Sequence, residues 1–117
     1  MTMKIDVRKE TGGLALIKIE GDVDMHTSPE VRNALLPHFK SSTKGIVVDL
    51  SGVSYMDSSG IATMIEGLQW SSRDGKRFVL AGTGPRVMDV FVLTNLKDVF
   101  EFSPDAVSAF KVIKGGA

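Results

Sequence analysis

The pattern of apolar residues predicts an α/β domain on a mixed β-sheet, with element order β-β-α-β-α-β-α-β-α. Three observations carry this reading. Two short alternating runs near the N-terminus are split by Gly12-Gly13, as in a hairpin. Two later runs, Ile46 to Leu50 and Phe78 to Ala81, are almost continuously apolar, as in strands covered on both faces. Segments of helical period separate them, and strands that alternate with helices run parallel. The sheet is therefore expected to be antiparallel at its start and parallel afterwards.

Taken in order, Met3 to Arg8 alternates with the period of a half-buried strand, and Leu14 to Ile19 forms its hairpin partner. Gly21 to His26 is expected to leave the sheet as a loop. A helix starts near Thr27-Ser28-Pro29-Glu30. Thr27 with Glu30 fits a capping box, and Ser28 before Pro29 fits an N-cap with proline in the first turn; both stand open. Val31, Ala34, Leu35 and His38 share a face, and Pro37 should kink or end the helix.

Residues 41–45 read as a loop before the strand at Ile46. Ser51 to Met56 reads as a second loop, and Ile61, Met64, Ile65 and Leu68 then mark a helix face. Arg73-Asp74-Gly75-Lys76 turns the chain into the strand at Phe78. Gly82-Thr83-Gly84-Pro85 leads into a helix with Val87, Val90, Phe91 and Thr94 on one face. Asp98 to Phe102 is the last strand. Ser103-Pro104-Asp105 starts a final helix carrying Val107, Phe110 and Val112, and residues 114–117 are expected to fray. The whole of 1–117 reads as one domain without repeats or linkers.

Composition narrows the function classes. A chain of 117 residues can bury a proper core. Basic and acidic residues number 14 each, so no positive excess favours a nucleic-acid backbone. Cysteine is absent, which excludes disulfides, thiolate metal sites and a cysteine nucleophile. Met1 to Glu10 lacks the apolar core of a signal peptide, and no run approaches the ~20 residues of a membrane span. A cytoplasmic protein without membrane insertion is the expectation.

The site expected to carry function is Asp57-Ser58-Ser59-Gly60, between a strand and a helix. A serine there can simply cap the helix, a contribution of about 1 kcal/mol, and Gly60 can serve close packing. Three features favour more. Two serines adjoin and only one can cap, so a hydroxyl is left over. The loop from Ser51 to Asp57 exceeds the about two to six residues usual between a strand and a helix. The C-terminal ends of parallel strands are also where α/β sheets place functional loops.

Val48-Asp49-Leu50-Ser51 followed by Met56-Asp57-Ser58-Ser59-Gly60-Ile61 resembles the signature of STAS domains, the sulfate-transporter and anti-sigma-factor-antagonist family. Gly21-Asp22-Val23-Asp24 is similar to that family's loop after the second strand, and Phe78 through Phe102 resembles its second half. The resemblance implies a binding protein, not an enzyme, switched by phosphorylation. In soluble members the first serine of the motif is phosphorylated by an anti-sigma factor that is also a serine kinase. The bare form binds that partner and frees a sigma factor, and a phosphatase resets the cycle. Carried over, Ser58 is the phosphoacceptor, Ser59 its neighbour, and Asp24, Asp57 and Gly60 fall in the partner-contact region.

At ~100° per residue, Thr63, Glu66 and Trp70 fall opposite the Ile61 face. Trp70 either points outward as a partner-binding anchor or folds back over the helix end; both readings stand. An outward tryptophan would suit other STAS proteins, the regulatory subunits that dock on the ATPase of ABC-type lipid transporters. A third use of the same motif is scaffolding in a stress-signalling complex.

Other signals are weaker. Val87 stands where the third glycine of a dinucleotide-binding turn would be, so Gly82-Thr83-Gly84 assigns no cofactor. Ser58 lacks a Gly-x-Ser-x-Gly elbow, because Met56 precedes it by two, and His26 and His38 are the only candidate bases. No catalytic residue is assigned. Asp22, Asp24 and His26 alternate in a pattern too common in loops to assign a metal. The methionines read as core filler, with Met25 and Met56 near the partner surface.

Overall fold

The structure is a computed structural model that describes residues 3–39 and 41–115. Strands β1 (Lys4–Glu10) and β2 (Leu14–Val23) form the expected antiparallel hairpin. Gly12 and Gly13 turn it with φ of 82° and 77°, a region that favours glycine. Strands β3 (Gly45–Met56), β4 (Arg77–Ala81) and β5 (Glu101–Ser103) then add in parallel, giving a sheet in sequence order. The helices are α1 (Ser28–Phe39), α2 (Ser58–Arg73), α3 (Pro85–Leu93) and α4 (Ala106–Lys114), so the predicted element order holds.

The sheet divides the core in two. One face meets α1, α2 and α3 through Val31, Leu35, Ile61, Met64, Val87 and Phe91, packed on Ile17, Ile19, Val48, Leu50 and Leu80. The other face is covered by α4 alone, which sets Ala109 on Val47, Val79 and Ala81. Edge strand β1 lies beyond the reach of α4 on that side.

Several boundaries differ from the sequence reading. Gly21, Asp22 and Val23 do not leave as a loop; they stay paired with β3. The segment from Ser51 to Met56 is not a loop either, because β3 runs twelve residues to Met56. Two register shifts against β2 account for this, between Lys18 and Glu20 and between Gly21 and Asp22. Each breaks the period-two pattern that marks a strand in sequence. At the other edge β5 starts at Glu101, three residues later than expected, because Leu96 to Val99 closes a turn.

The helix details also shift. Neither expected cap of α1 forms: the Thr27 hydroxyl donates to the Asp22 carbonyl at 2.8 Å and accepts from the Asp24 N–H at 2.9 Å, and Ser28 is already helical. Helix α1 begins at Ser28 itself, and it stops at Phe39, two residues past Pro37. Helix α4 buries Ala109 and sets Ala106, Phe110 and Ile113 beside it, while Val107 and Val112 face solvent. Its start at Ala106 places positions i, i+3, i+4 and i+7 inward. Lys114 is the last helical residue and Gly115 caps it; residues 116 and 117 of the expected frayed end lie outside the described residues.

Candidate functional site

The site grows from the ends of two neighbouring parallel strands. Val23 of β2 and Met56 of β3 are register partners, and the Asp57 N–H donates to the Val23 carbonyl at 3.2 Å. Asp24 and Asp57 are the next residues on each strand, so two carboxylates leave the sheet side by side. Since β3 reaches Met56, only Asp57 separates strand from helix. The long loop expected there does not exist, and the motif sits directly on the sheet.

Asp57 has the extended backbone of an N-cap residue, φ −103° and ψ −170°. Its Oδ1 accepts from the Ser59 N–H at 2.9 Å and the Gly60 N–H at 3.4 Å. The cap of α2 is thus Asp57 and not either serine. Both hydroxyls are left over where one was expected: neither Ser58 nor Ser59 has a side-chain hydrogen bond among the described residues. Ser58 is exposed at the first helical position, whereas Ser59 is half-buried. Removing the cap by Asp57→Ala should cost about 1 kcal/mol, read as a fall of roughly 4 °C in melting temperature.

Gly60 is the contact that lets α2 start so close to the sheet. A Cβ built there would lie 2.5 Å from Met56 Cγ, 2.9 Å from Val23 Cγ1 and 3.1 Å from the Val23 carbonyl oxygen. Asp24 organises the neighbouring turn through its carboxylate. Its Oδ1 accepts from the His26 N–H at 2.9 Å and the Thr27 N–H at 3.1 Å. These bonds, His26 first, hold the Asp24 carboxyl below the ordinary carboxylate range.

The structure therefore brings Asp24, Asp57, Ser58, Ser59 and Gly60 together at one end of the sheet. Met25 and Tyr55 flank them, 66% and 51% exposed, whereas Met56 is buried beneath the motif and is not a surface residue. Tyr55 was hidden in sequence by the apparent loop. Its signal was an aromatic residue in a segment that could still pair as a strand. His26 is exposed and its backbone serves the Asp24 turn. Asp22 accepts from the Ser54 hydroxyl at 3.0 Å, and no metal-holding group of acidic or histidine residues occurs among the described residues.

Trp70 is not part of this cluster. It lies twelve residues along α2 from Ser58, about 18 Å at the helical rise. Its ring meets Phe39 edge-on at 5.0 Å and receives the Arg32 guanidinium at 5.5 Å, while Arg32 also pairs with Glu66 at 3.0 Å. Thr63 is buried as well. The face of α2 opposite Ile61 is thus the face that packs on α1, and Trp70 folds back instead of pointing outward.

His38 is buried at the far end of α1. Burial, then the charges of Lys9 and Lys76, push its imidazole below the ordinary value. The folded state therefore prefers neutral His38 and the unfolded state takes up the proton first. Stability present above about pH 6.5 should fall as pH drops through that value. A second loss follows further into acid, where Asp24 and Asp105, both lowered, become protonated. Urea melts at pH 7.5 and 5.5 should show the first loss in the parent protein and a smaller one in His38→Gln.

The geometry defines a class: a surface at the ends of two parallel strands where an exposed helix-start serine follows a capping aspartate and a second aspartate orders the neighbouring turn. The comparisons specify it further. The STAS domain family model matches residues 5–109, and the chain belongs to the STAS domain family. An anti-sigma-B factor antagonist of Staphylococcus aureus is 34% identical over 83 residues, which span 71% of this chain and 77% of that protein. The crystal structure of an anti-sigma factor antagonist from Mycobacterium paratuberculosis superposes with a TM-score of 0.87 at 22% identity, covering 97% and 95% of the two chains. The unphosphorylated form of the antagonist SpoIIAA gives 0.84 at 19% identity over 96% and 97%. The phosphorylated form of Bacillus SpoIIAA gives 0.76 at 18% over 94% and 99%. At these identities the solved structures speak for the fold.

No helix of the described residues is long and apolar enough to cross a membrane.

Proposed function

We propose that this chain is a cytoplasmic anti-sigma factor antagonist, switched off by phosphorylation of Ser58. The bare form binds an anti-sigma factor that is also a serine kinase, and a phosphatase restores it. The observation that carries this reading is the exposed Ser58 hydroxyl, which has no hydrogen bond among the described residues, the helix being capped by Asp57. The name of the staphylococcal relative supports the partner class, and SpoIIAA, which shares the fold, is known in both phosphorylated and unphosphorylated forms.

Electrostatics supports a switch that works between proteins. A helix start normally offers free N–H groups to a phosphate. Here the Ser59 and Gly60 N–H groups are taken by Asp57, so a phosphate on Ser58 gains little from the helix. It would instead add roughly −1.5 to −2 charges beside Asp57 and Asp24. That concentration of negative charge and bulk falls on the docking face, where an acidic or close-fitting partner rejects it. The transporter reading drew on an outward Trp70, and the packing of that ring on Phe39 removes its support.

Incubation with ATP and the anti-sigma kinase tests the reading. Intact mass should rise by one phosphate, mapped to Ser58 and lost in Ser58→Ala. Label on another residue, or none while the kinase modifies a control antagonist, refutes it. Partner binding should involve Asp24 and Tyr55 and leave Trp70 unaffected, which amide-shift mapping of the complex would show.

A further inference from the structure

Strand β1 is an edge: it pairs with β2 on one side and with nothing on the other among the described residues. Its seven residues, Lys-Ile-Asp-Val-Arg-Lys-Glu, are exposed over most of their length, and Val7 is 44% exposed. Charges on an edge strand usually keep other edges away. Here their order does something more specific.

We propose that β1 pairs antiparallel with β1 of a second copy of this chain, about a two-fold axis through Val7. In that register Val7 meets Val7, Asp6 meets Arg8 and Lys4 meets Glu10. Directly opposed residues of antiparallel strands share a face and interact through their side chains, so both charged pairings are attractive. The two copies of Val7 cover each other on the helical face of the sheet.

The register is selective. A two-fold axis normal to the sheet keeps each side chain on its own face, so the axis moves along the strand one residue at a time and the strands slip by two. Centring on Asp6 opposes Lys4 to Arg8 and Asp6 to itself. Centring on Arg8 opposes Asp6 to Glu10 and Arg8 to itself. Both neighbouring registers thus set like charges together, and of the three only the full-length pairing escapes repulsion.

The rest of the fold leaves room. Helix α4 covers β3 and β4 and leaves this side of β1 open, where Lys4, Asp6 and Arg8 line a hollow of about 310 Å³ with Lys18 and Glu20. The intrachain Asp6–Arg8 pair at 3.1 Å would meet its own mate and close a ring of four alternating charges. Ser58 follows β3, two strands away, so pairing keeps the hydroxyl open. The result is an isologous dimer with one continuous ten-stranded sheet.

The absence of cysteine allows a direct test. Val7→Cys puts a thiol on the axis, where opposed Cα atoms about 4.5–5.5 Å apart permit a disulfide. Lys9→Cys is the control, since two such residues would lie about 13 Å apart. Mild oxidation of the full chain should turn Val7→Cys into a covalent dimer and leave Lys9→Cys monomeric. Sedimentation equilibrium of the parent at low salt should show mass rising from 12.6 kDa towards twice that value between low micromolar and near-millimolar concentration. Arg8→Glu with Glu10→Lys makes both pairings repulsive while their β2 partners, Leu16 and Leu14, carry no charge. That variant should melt like the parent and stay monomeric. A parent that remains monomeric throughout the range, or equal cross-linking of the two cysteine variants, overturns the proposal.

Discussion

Ser58→Asp should fold as the parent does and bind the anti-sigma factor roughly 2–3 kcal/mol less tightly, on the order of a hundredfold. The first half follows from burial: Ser58 is exposed and its hydroxyl has no hydrogen bond among the described residues, so its replacement removes no core contact. Surface changes of this kind usually stay within about 0.5 kcal/mol. The second half follows from charge placed beside Asp24 and Asp57, on the face proposed to dock. Calorimetric titration with the partner, alongside a thermal melt, separates the two halves. Lost binding with an intact melt supports a gate at the surface. A collapsed melt shows that the side chain has a structural duty, and unchanged binding places the partner elsewhere.

Gly60→Val should be the most damaging single change in the motif, at about 1–3 kcal/mol or more from overpacking. Its added atoms would enter space held by Met56 and Val23, and the backbone carbonyl of Val23 cannot rotate away as a side-chain tip can. Relief requires lifting the first turn of α2 from the sheet, which carries Ser58 with it. Denaturant melts should therefore show the loss of stability, and the kinase should label the surviving folded fraction poorly. Gly60→Ala is the milder probe, since a single methyl still meets Met56 Cγ at 2.5 Å. Equal stability of Gly60→Val and the parent would mean that α2 starts with more freedom than these distances allow.

The legible parts of the fold were those with one local signal. The doubled glycine turn, the continuous apolar runs at Ile46 and Phe78, and the Ile61-Met64 stripe each correspond to an element in the structure. What the pattern concealed was the C-terminal half of β3. Ser51-Gly52-Val53-Ser54-Tyr55-Met56 is rich in loop-forming residues, and two register shifts destroy its alternation, so it reads as a connection. Only pairing with β2 reveals it as strand, and pairing is a tertiary fact.

The same contrast holds at the site. The four-residue motif was visible, but the assignment of its cap was not, because aspartate and serine are almost equally good there. The backbone decides it: Asp57 leaves the strand extended and reaches forward to two N–H groups. Trp70 shows the opposite limit. Helical period placed it away from the Ile61 face correctly, yet period says nothing about a second neighbour, and α1 lies on that side. For α4 a stripe of valines misled, because small Ala109 allows the closest approach to the sheet.

Because β3 carries its hydrogen bonding to within one residue of Asp57, the hydroxyl proposed as acceptor is mounted on masonry and not on a hinge. The two signalling states should then share one silhouette, indistinguishable by scattering or by amide spectra except around the ester itself. On the proposed function, information would be written here as chemistry without motion. An inhibitor meant to freeze an idle conformer would find nothing to freeze, and only a molecule that covers the inscription would silence it.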